Sequence, residues 1–119
     1  GRWARSSIRA EALSHGQVRP EVPFFVARPS EHGDYLEGAI DLLCTDEESR
    51  EALVVDYKTG DAGLTADEVR ARHAMQAEFY AGVLLDQDWE RVECAFVCVE
   101  REDDQRPGEP LVARYSFSR

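Results

Sequence analysis

A chain of 119 residues can bury one core, and with 43% hydrophobic and 32% charged residues it groups with folded domains, not disordered segments. Its formal net charge of −10 excludes a protein that coats nucleic acid through its own basic surface, but not one that holds phosphate through a cation or beside a basic partner. No apolar run approaches the roughly 20 residues of a membrane span, and no basic-then-apolar signal segment opens the chain.

Residues 3–14 lack Gly and Pro and carry Ile8, Ala12 and Leu13 among charges, which predicts a short helix. His15-Gly16 is expected to end it, with Gly16 in the left-handed C-cap position. Residues 17–28 predict a strand, with Pro20 and Pro23 marking an edge or kink. A turn at 29–34 leads to a second strand over 35–44, and Asp46 to Arg50 form a polar hairpin connection. Residues 52–58 form a third strand, apolar enough to be central in a sheet. After a break at Gly60-Asp61-Ala62-Gly63, Thr65-x-x-Glu68 reads as a capping box that opens a helix running to about Leu85. Residues 91–100 and 111–117 give two more strands, with Pro107-Gly108 as the turn residues between them. The order α-β-β-β-α-β-β describes an α/β domain, a mixed sheet flanked by helices. The helix between strands three and four is expected to make a right-handed crossover. No internal repeat or low-complexity linker interrupts it, so residues 1–119 read as a single domain. The chain opens on Gly1 instead of Met, which is taken to mark a fragment of a longer protein.

Chemistry concentrates in Leu53-Val54-Val55-Asp56-Tyr57-Lys58-Thr59-Gly60. Alternation places Asp56 and Lys58 on one strand face and Tyr57 on the other. A carboxylate and an ammonium at the end of an apolar strand are costly to desolvate. They are either a simple ion pair or a working pair. Lys58 is the only lysine in the chain, beside thirteen arginines. That points to a task for a compact ammonium, such as stabilising charge on a phosphate or lowering the pKa of an attacking water.

Asp41 lies in the preceding strand among apolar residues, Gly38-Ala39-Ile40-Asp41-Leu42-Leu43, where it needs a cation or a hydrogen-bond partner. If strands two and three pair through the hairpin at residues 45–50, Asp41 and Asp56 lie side by side. Two adjacent carboxylates repel, and a divalent ion relieves the repulsion. Oxygen ligands suit Mg²⁺. Gly38 leaves room for close approach of backbone or substrate. On the long helix, Gln76 and Tyr80 share a face at i and i+4 with Val69, Arg72 and His73. They are either core residues with satisfied polar tips or groups that touch a carboxylate or a DNA phosphate. Arg72 and His73 are expected to face DNA, whereas His15 and His32 sit beside glycines with no metal-ligand spacing.

The remaining polar and thiol residues read as structural. Asp46-Glu47-Glu48 and Glu102-Asp103-Asp104 are solvated turns. Cys44, Cys94 and Cys98 lack the spacing of a zinc site and read as buried free thiols, which implies a reducing, cytoplasmic compartment.

Glu21-Val-Pro-Phe24, Gly38-Ala-Ile-Asp41, Val54-Val-Asp-Tyr-Lys-Thr59 and Gln76-Ala-Glu-Phe-Tyr80, in this order, resemble the RecB-like branch of the PD-(D/E)XK nucleases. The likeness runs from about residue 17 to residue 85 and looks closest to the C-terminal domains of AddA/RecB helicase–nucleases of the exonuclease V type. It implies a restriction-endonuclease-like sheet and phosphodiester hydrolysis of DNA with Mg²⁺ or Mn²⁺. Asp41, Asp56 and the main-chain carbonyl of Tyr57 would be metal ligands and Lys58 the catalytic lysine. Gln76 and Tyr80 would bind DNA or order the site, and Glu21 is assigned no ligand role. The resemblance further implies an attached helicase, the part that uses ATP, a partner subunit, single-stranded DNA as substrate, and a role in double-strand-break repair and recombination. Family members usually carry a further ligand on an upstream helix. Glu11 and His15 do not match it, so the fragment is expected to begin after that motif. A nuclease-like module that guides DNA or docks a subunit without catalysis is the alternative, and a third reading is an unrelated α/β domain whose Asp–Lys pairs are structural.

Overall fold

The computed structural model describes residues 6–30, 33–59 and 63–119, with the side chains of residues 23–39 excepted. The helix start expected at Trp3, residues 31–32 of the turn expected at 29–34 (His32 among them), and residues 60–62 of the break expected at 60–63 lie outside those residues.

Helix α1 (Ser7–Leu13) starts where Ser6 stays extended and its hydroxyl accepts the Arg9 N–H at 3.3 Å. It ends at Ser14 in ordinary helical conformation, the Ser14 hydroxyl donating to the Glu11 carbonyl at 2.6 Å. The left-handed cap expected at Gly16 is absent: Gly108 is the only described glycine with positive φ. The side-chain bond at Ser14 satisfies an orphan carbonyl that the glycine cap would otherwise have served.

Strands β1 (Gln17–Ser30), β2 (Gly33–Asp46) and β3 (Glu51–Lys58) form an antiparallel meander. The Asp46 carboxylate accepts the N–H groups of Glu48 and Ser49, and Arg50 takes a φ of 57°, which together close the β2–β3 turn. Helix α2 (Ala66–Asp86) carries the chain over one face of the sheet to β4 (Arg91–Asp103), which pairs parallel with β3. Strand β5 (Arg106–Ser118) returns antiparallel. Spatial order follows chain order, β1-β2-β3-β4-β5, so β3 is the central strand, as its unbroken apolar run predicts.

The sheet is covered on both faces. Val54, Val92, Cys94, Phe96, Ala113 and Tyr115 pack under α2 with Val69, Ala77, Tyr80 and Leu84. Leu42, Cys44, Leu53, Val55, Ala95 and Val97 pack under Ile8 and Ala12 of α1. Arg114 of β5 ties α1 down, its guanidinium meeting the Glu11 carboxylate at 2.6 Å. All three cysteines are buried and unbridged, and burial raises the Cys44 and Cys94 thiols to about 11 and about 12. No described helix is long and apolar enough to cross a membrane.

The β4–β5 turn differs from expectation. Asp103 pairs with Arg106, so the turn falls at Asp104-Gln105, where the Asp103 carboxylate accepts the Gln105 N–H at 2.9 Å. Pro107-Gly108 lies within β5 instead. There the register shifts, Gly108 takes a φ of 86°, and its N–H donates to the Glu102 carboxylate at 2.8 Å. The turn signature in the sequence therefore marked an irregularity in a strand.

Helix α2 is capped at both ends. Thr65 and Glu68 make the reciprocal capping box, each side chain bonded to the other's main-chain N–H. At the far end Asp88 sits at φ 73° while the N–H groups of Trp89 and Asp88 reach the carbonyls of Leu84 and Leu85. This is the glycine-type helix stop built with an aspartate. Asp88→Gly is expected to stabilise the protein by about 0.5–1 kcal/mol by removing the left-handed strain. Urea denaturation with an unchanged or lower midpoint would contradict this account.

Candidate active site

The candidate site forms at the carboxyl end of β3. Asp56 follows four buried apolar residues and is itself 6% exposed, on the face that α2 covers. Lys58 shares that face, its Nζ 3.1 Å from Asp56 Oδ2. Tyr57 points to the opposite face; burial foremost, then Asp41 and Cys44, raise its ring hydroxyl, and Arg9 opposes them. Strand alternation alone accounts for this division.

Asp41 reaches the site through a break in alternation. In β2, Leu42 and Cys44 join the α1-side core, whereas Leu43 and Ile40 join the α2-side core. In β1, Val18 lies on the α1 side and Val22 on the α2 side. Both strands thus change face at one level, between the pairs Pro20–Leu42 and Val22–Ile40, where Glu21 takes a φ of 51°. The β2–β3 ladder stops at Leu42–Val55. One residue further, the Asp41 carboxylate takes the place of a ladder carbonyl and accepts the Tyr57 N–H at 2.7 Å.

Asp41 and Asp56 are therefore neighbours, close enough for their carboxyls to share a hydrogen bond. Burial foremost, and then this bond to Asp41, push Asp56 up to about 6, against the opposing pull of Lys58. The structural-pair reading, in which Asp41 stands apart from Asp56, does not fit this geometry.

Helix α2 closes the site from above. The Gln76 amide donates to the Tyr80 hydroxyl at 2.9 Å, and that hydroxyl lies 3.4 Å from Asp56 Oδ2. Burial foremost, and the nearby Asp56 charge, raise the Tyr80 hydroxyl well above its ordinary range, so it stays a donor. Gln76 thus meets the carboxylate only through Tyr80. Arg72 is exposed, but His73 is not turned outward as expected. It is 8% exposed and stacks on Phe96 of β4, ring centroids 5.1 Å apart and 13° from parallel. Phe96 is paired in register with Asp56 and lies beneath Lys58, whose Nζ is 5.6 Å from the ring centroid. Sequence reasoning left Phe96 out. The sign available was its place in a strand expected to lie beside the third. Glu11 and His15 stay outside the site, Glu11 held by Arg114 and His15 bonded to the Glu11 carbonyl.

Two adjacent carboxylates, one buried and with a proton affinity raised by the other, are a donor set that suits a hard divalent cation. Among the described residues no cluster of three or more His, Cys, Asp or Glu side chains surrounds it.

Because the folded state raises the Asp56 pKa, it binds a proton that the unfolded chain releases near 4. The contribution of this group to stability is present in full below about 4 and falls as pH rises through about 6. Asp56→Asn mimics the protonated form. It is expected to raise metal-free stability at pH 7 by up to about 3 kcal/mol and to flatten the pH dependence between 4 and 7. Thermal unfolding across that range checks both effects, and a less stable Asn variant at pH 7 would contradict the assigned cause.

No curated protein matches the chain. A solved structure, that of SSO0001, is similar at 12% identity and a TM-score of 0.45, over 93% of this chain and 46% of the other, so the chain spans less than half of that protein. The family model of the PD-(D/E)XK nuclease superfamily matches residues 2–115. With that match over nearly its whole length, and with the mixed sheet and acid–lysine strand end described above, the chain belongs to the PD-(D/E)XK nuclease superfamily.

Proposed function

We propose that the chain is the nuclease domain of an AddA/RecB-type helicase–nuclease, a Mg²⁺-dependent exodeoxyribonuclease (or one using Mn²⁺) that acts in double-strand-break repair and recombination. The observation that carries the nuclease reading is the buried Asp56, set between Asp41 and the chain's one lysine, Lys58. The helicase–nuclease assignment rests on the run of motifs from Glu21 to Tyr80.

In this reading Asp41 and Asp56 hold the ion, with the Tyr57 carbonyl as a third ligand. The Tyr57 N–H faces Asp41, and in an extended strand a residue's N–H and C=O leave by the same edge. A bound divalent ion supplies polarisation of the scissile phosphate and a water of lowered pKa. Lys58 places a positive charge where negative charge grows on the phosphate during in-line displacement. Tyr80, oriented by Gln76, donates to Asp56 and keeps one carboxylate oxygen fixed. Arg72 is exposed on the same helix and adds positive charge on the side from which a DNA backbone would approach. With a net charge of −10, the domain leaves most of the DNA path to an attached helicase and a partner subunit, which deliver single-stranded DNA. The three free thiols agree with a reducing, cytoplasmic setting.

Calorimetry with Mg²⁺ or Mn²⁺ is expected to show one site, absent in Asp41→Ala and Asp56→Ala. Its affinity should rise with pH through about 6 as Asp56 loses its proton. Absence of binding at millimolar ion at pH 7.5 would leave two readings, a non-catalytic module or a site that needs the upstream ligand, which the same titration on a chain extended upstream separates.

Lys58→Ala is expected to keep ion binding and to lower cleavage of single-stranded DNA by about 100-fold or more. Full activity in that variant would remove Lys58 from the chemistry.

A further inference from the structure

We infer that Phe96 is a positioning residue for Lys58, holding its ammonium over the site when Asp56 is engaged elsewhere. The inference rests on the nuclease reading for its purpose but not for its geometry.

A lysine carries four rotatable carbons, so an ammonium kept at a fixed point requires partners that restrain it. Two are present. One is Asp56 Oδ2 at 3.1 Å, and the other is the Phe96 ring, its centroid 5.6 Å from Nζ. They are unequal in one respect. A divalent ion held by Asp41 and Asp56 competes with Lys58 for carboxylate oxygen, and this weakens the ion pair when the site is loaded. The negative face of an aromatic ring attracts an ammonium and does not ligate hard divalent ions, so that partner is retained.

The ring is also held rigidly. Phe96 is fully buried, stacks in parallel with His73, and meets Tyr115 edge-on with centroids 5.7 Å apart and planes at 82°. Its backbone is fixed by the parallel pairing of β4 with β3, where Phe96 is the partner of Asp56 itself. The strand that presents the carboxylate thus lies beside the strand that presents the platform for the lysine. An aliphatic residue at 96 would keep the position apolar but would offer the ammonium no quadrupole.

Because Lys58 is the only lysine, protein labelled with ¹³C-lysine gives one ε-methylene signal, which reports this contact alone. In the wild-type protein that signal is expected upfield of its free-lysine position, with cross-relaxation to the Phe96 ring protons. The displacement should persist on saturation with Mg²⁺ and in Asp56→Asn. In Phe96→Leu it should vanish. With folding verified by circular dichroism, single-stranded DNA cleavage by that variant should fall about tenfold in kcat with KM unchanged.

A wild-type signal at the free-lysine position overturns the inference, and so does a displacement that disappears with Mg²⁺. If Phe96→Leu does not fold, these two wild-type measurements decide the matter. A retained upfield signal in a wild-type protein that cleaves no DNA supports the positioning of Lys58 and counts against the nuclease reading alone.

Discussion

The desolvation of one carboxylate governs the arrangement of this domain's site. Strand β3 is central, paired on both edges and covered by a helix on each face, and Asp56 lies at the end of its apolar run. A charge there loses most of its water, at a cost that its apolar strand neighbours do nothing to offset. The surroundings respond to that cost. Lys58 folds back along its own strand to reach Oδ2, and α2 supplies the Tyr80 hydroxyl from above. The second acid, Asp41, works in the other direction and raises the cost. An arrangement that combines a buried acid with another acid is poor for stability and suited to holding a cation, as sites built for chemistry generally are.

Parallel pairing explains why the site lies where it does. β3 and β4 run the same way, so their carboxyl ends emerge together, and the crossover helix between them passes over that face. Ligand sites in α/β sheets commonly form at such ends. Here β3 contributes Asp56 and Lys58, β4 contributes Phe96, and α2 contributes Tyr80 and Gln76. The antiparallel neighbour β2 adds Asp41. The other face has a different task. Helix α1, fastened to β5 through Glu11 and Arg114, seals the second core and takes no part in the acid–lysine cluster.

Local rules were enough to read several elements. The apolar run of residues 52–55 marked a central strand, and alternation put Asp56 and Lys58 on one face with Tyr57 on the other. Thr65 and Glu68 announced the start of α2, and the i,i+4 spacing of Gln76 and Tyr80 put both on the face turned to the sheet. The sequence failed where tertiary pairing overrode a local signal. Gly16 and Pro107-Gly108 carry turn chemistry, but a serine side chain ends α1 and an Asp-based turn joins β4 to β5. His73 shares the α2 face of Gln76 and Tyr80 but was expected to meet DNA; the face is turned to the sheet, and His73 stacks on Phe96 instead.

The sequence alone determined the order of elements, the apolar faces, and the acid–lysine pair of β3, because each follows from periodicity within one segment. It also identified Asp41 as a residue requiring a partner. Only the tertiary structure decided which partner that was. Hairpin pairing of strands two and three already put Asp41 beside Asp56, but the face change at that level, which no periodicity announces, turns the Asp41 carboxylate to the Tyr57 N–H. Likewise the register of β4 against β3, fixed by main-chain pairing across 40 positions of sequence, set Phe96 beside Asp56 and under Lys58. Contacts between distant segments depend on register, and register is a property of the assembled sheet.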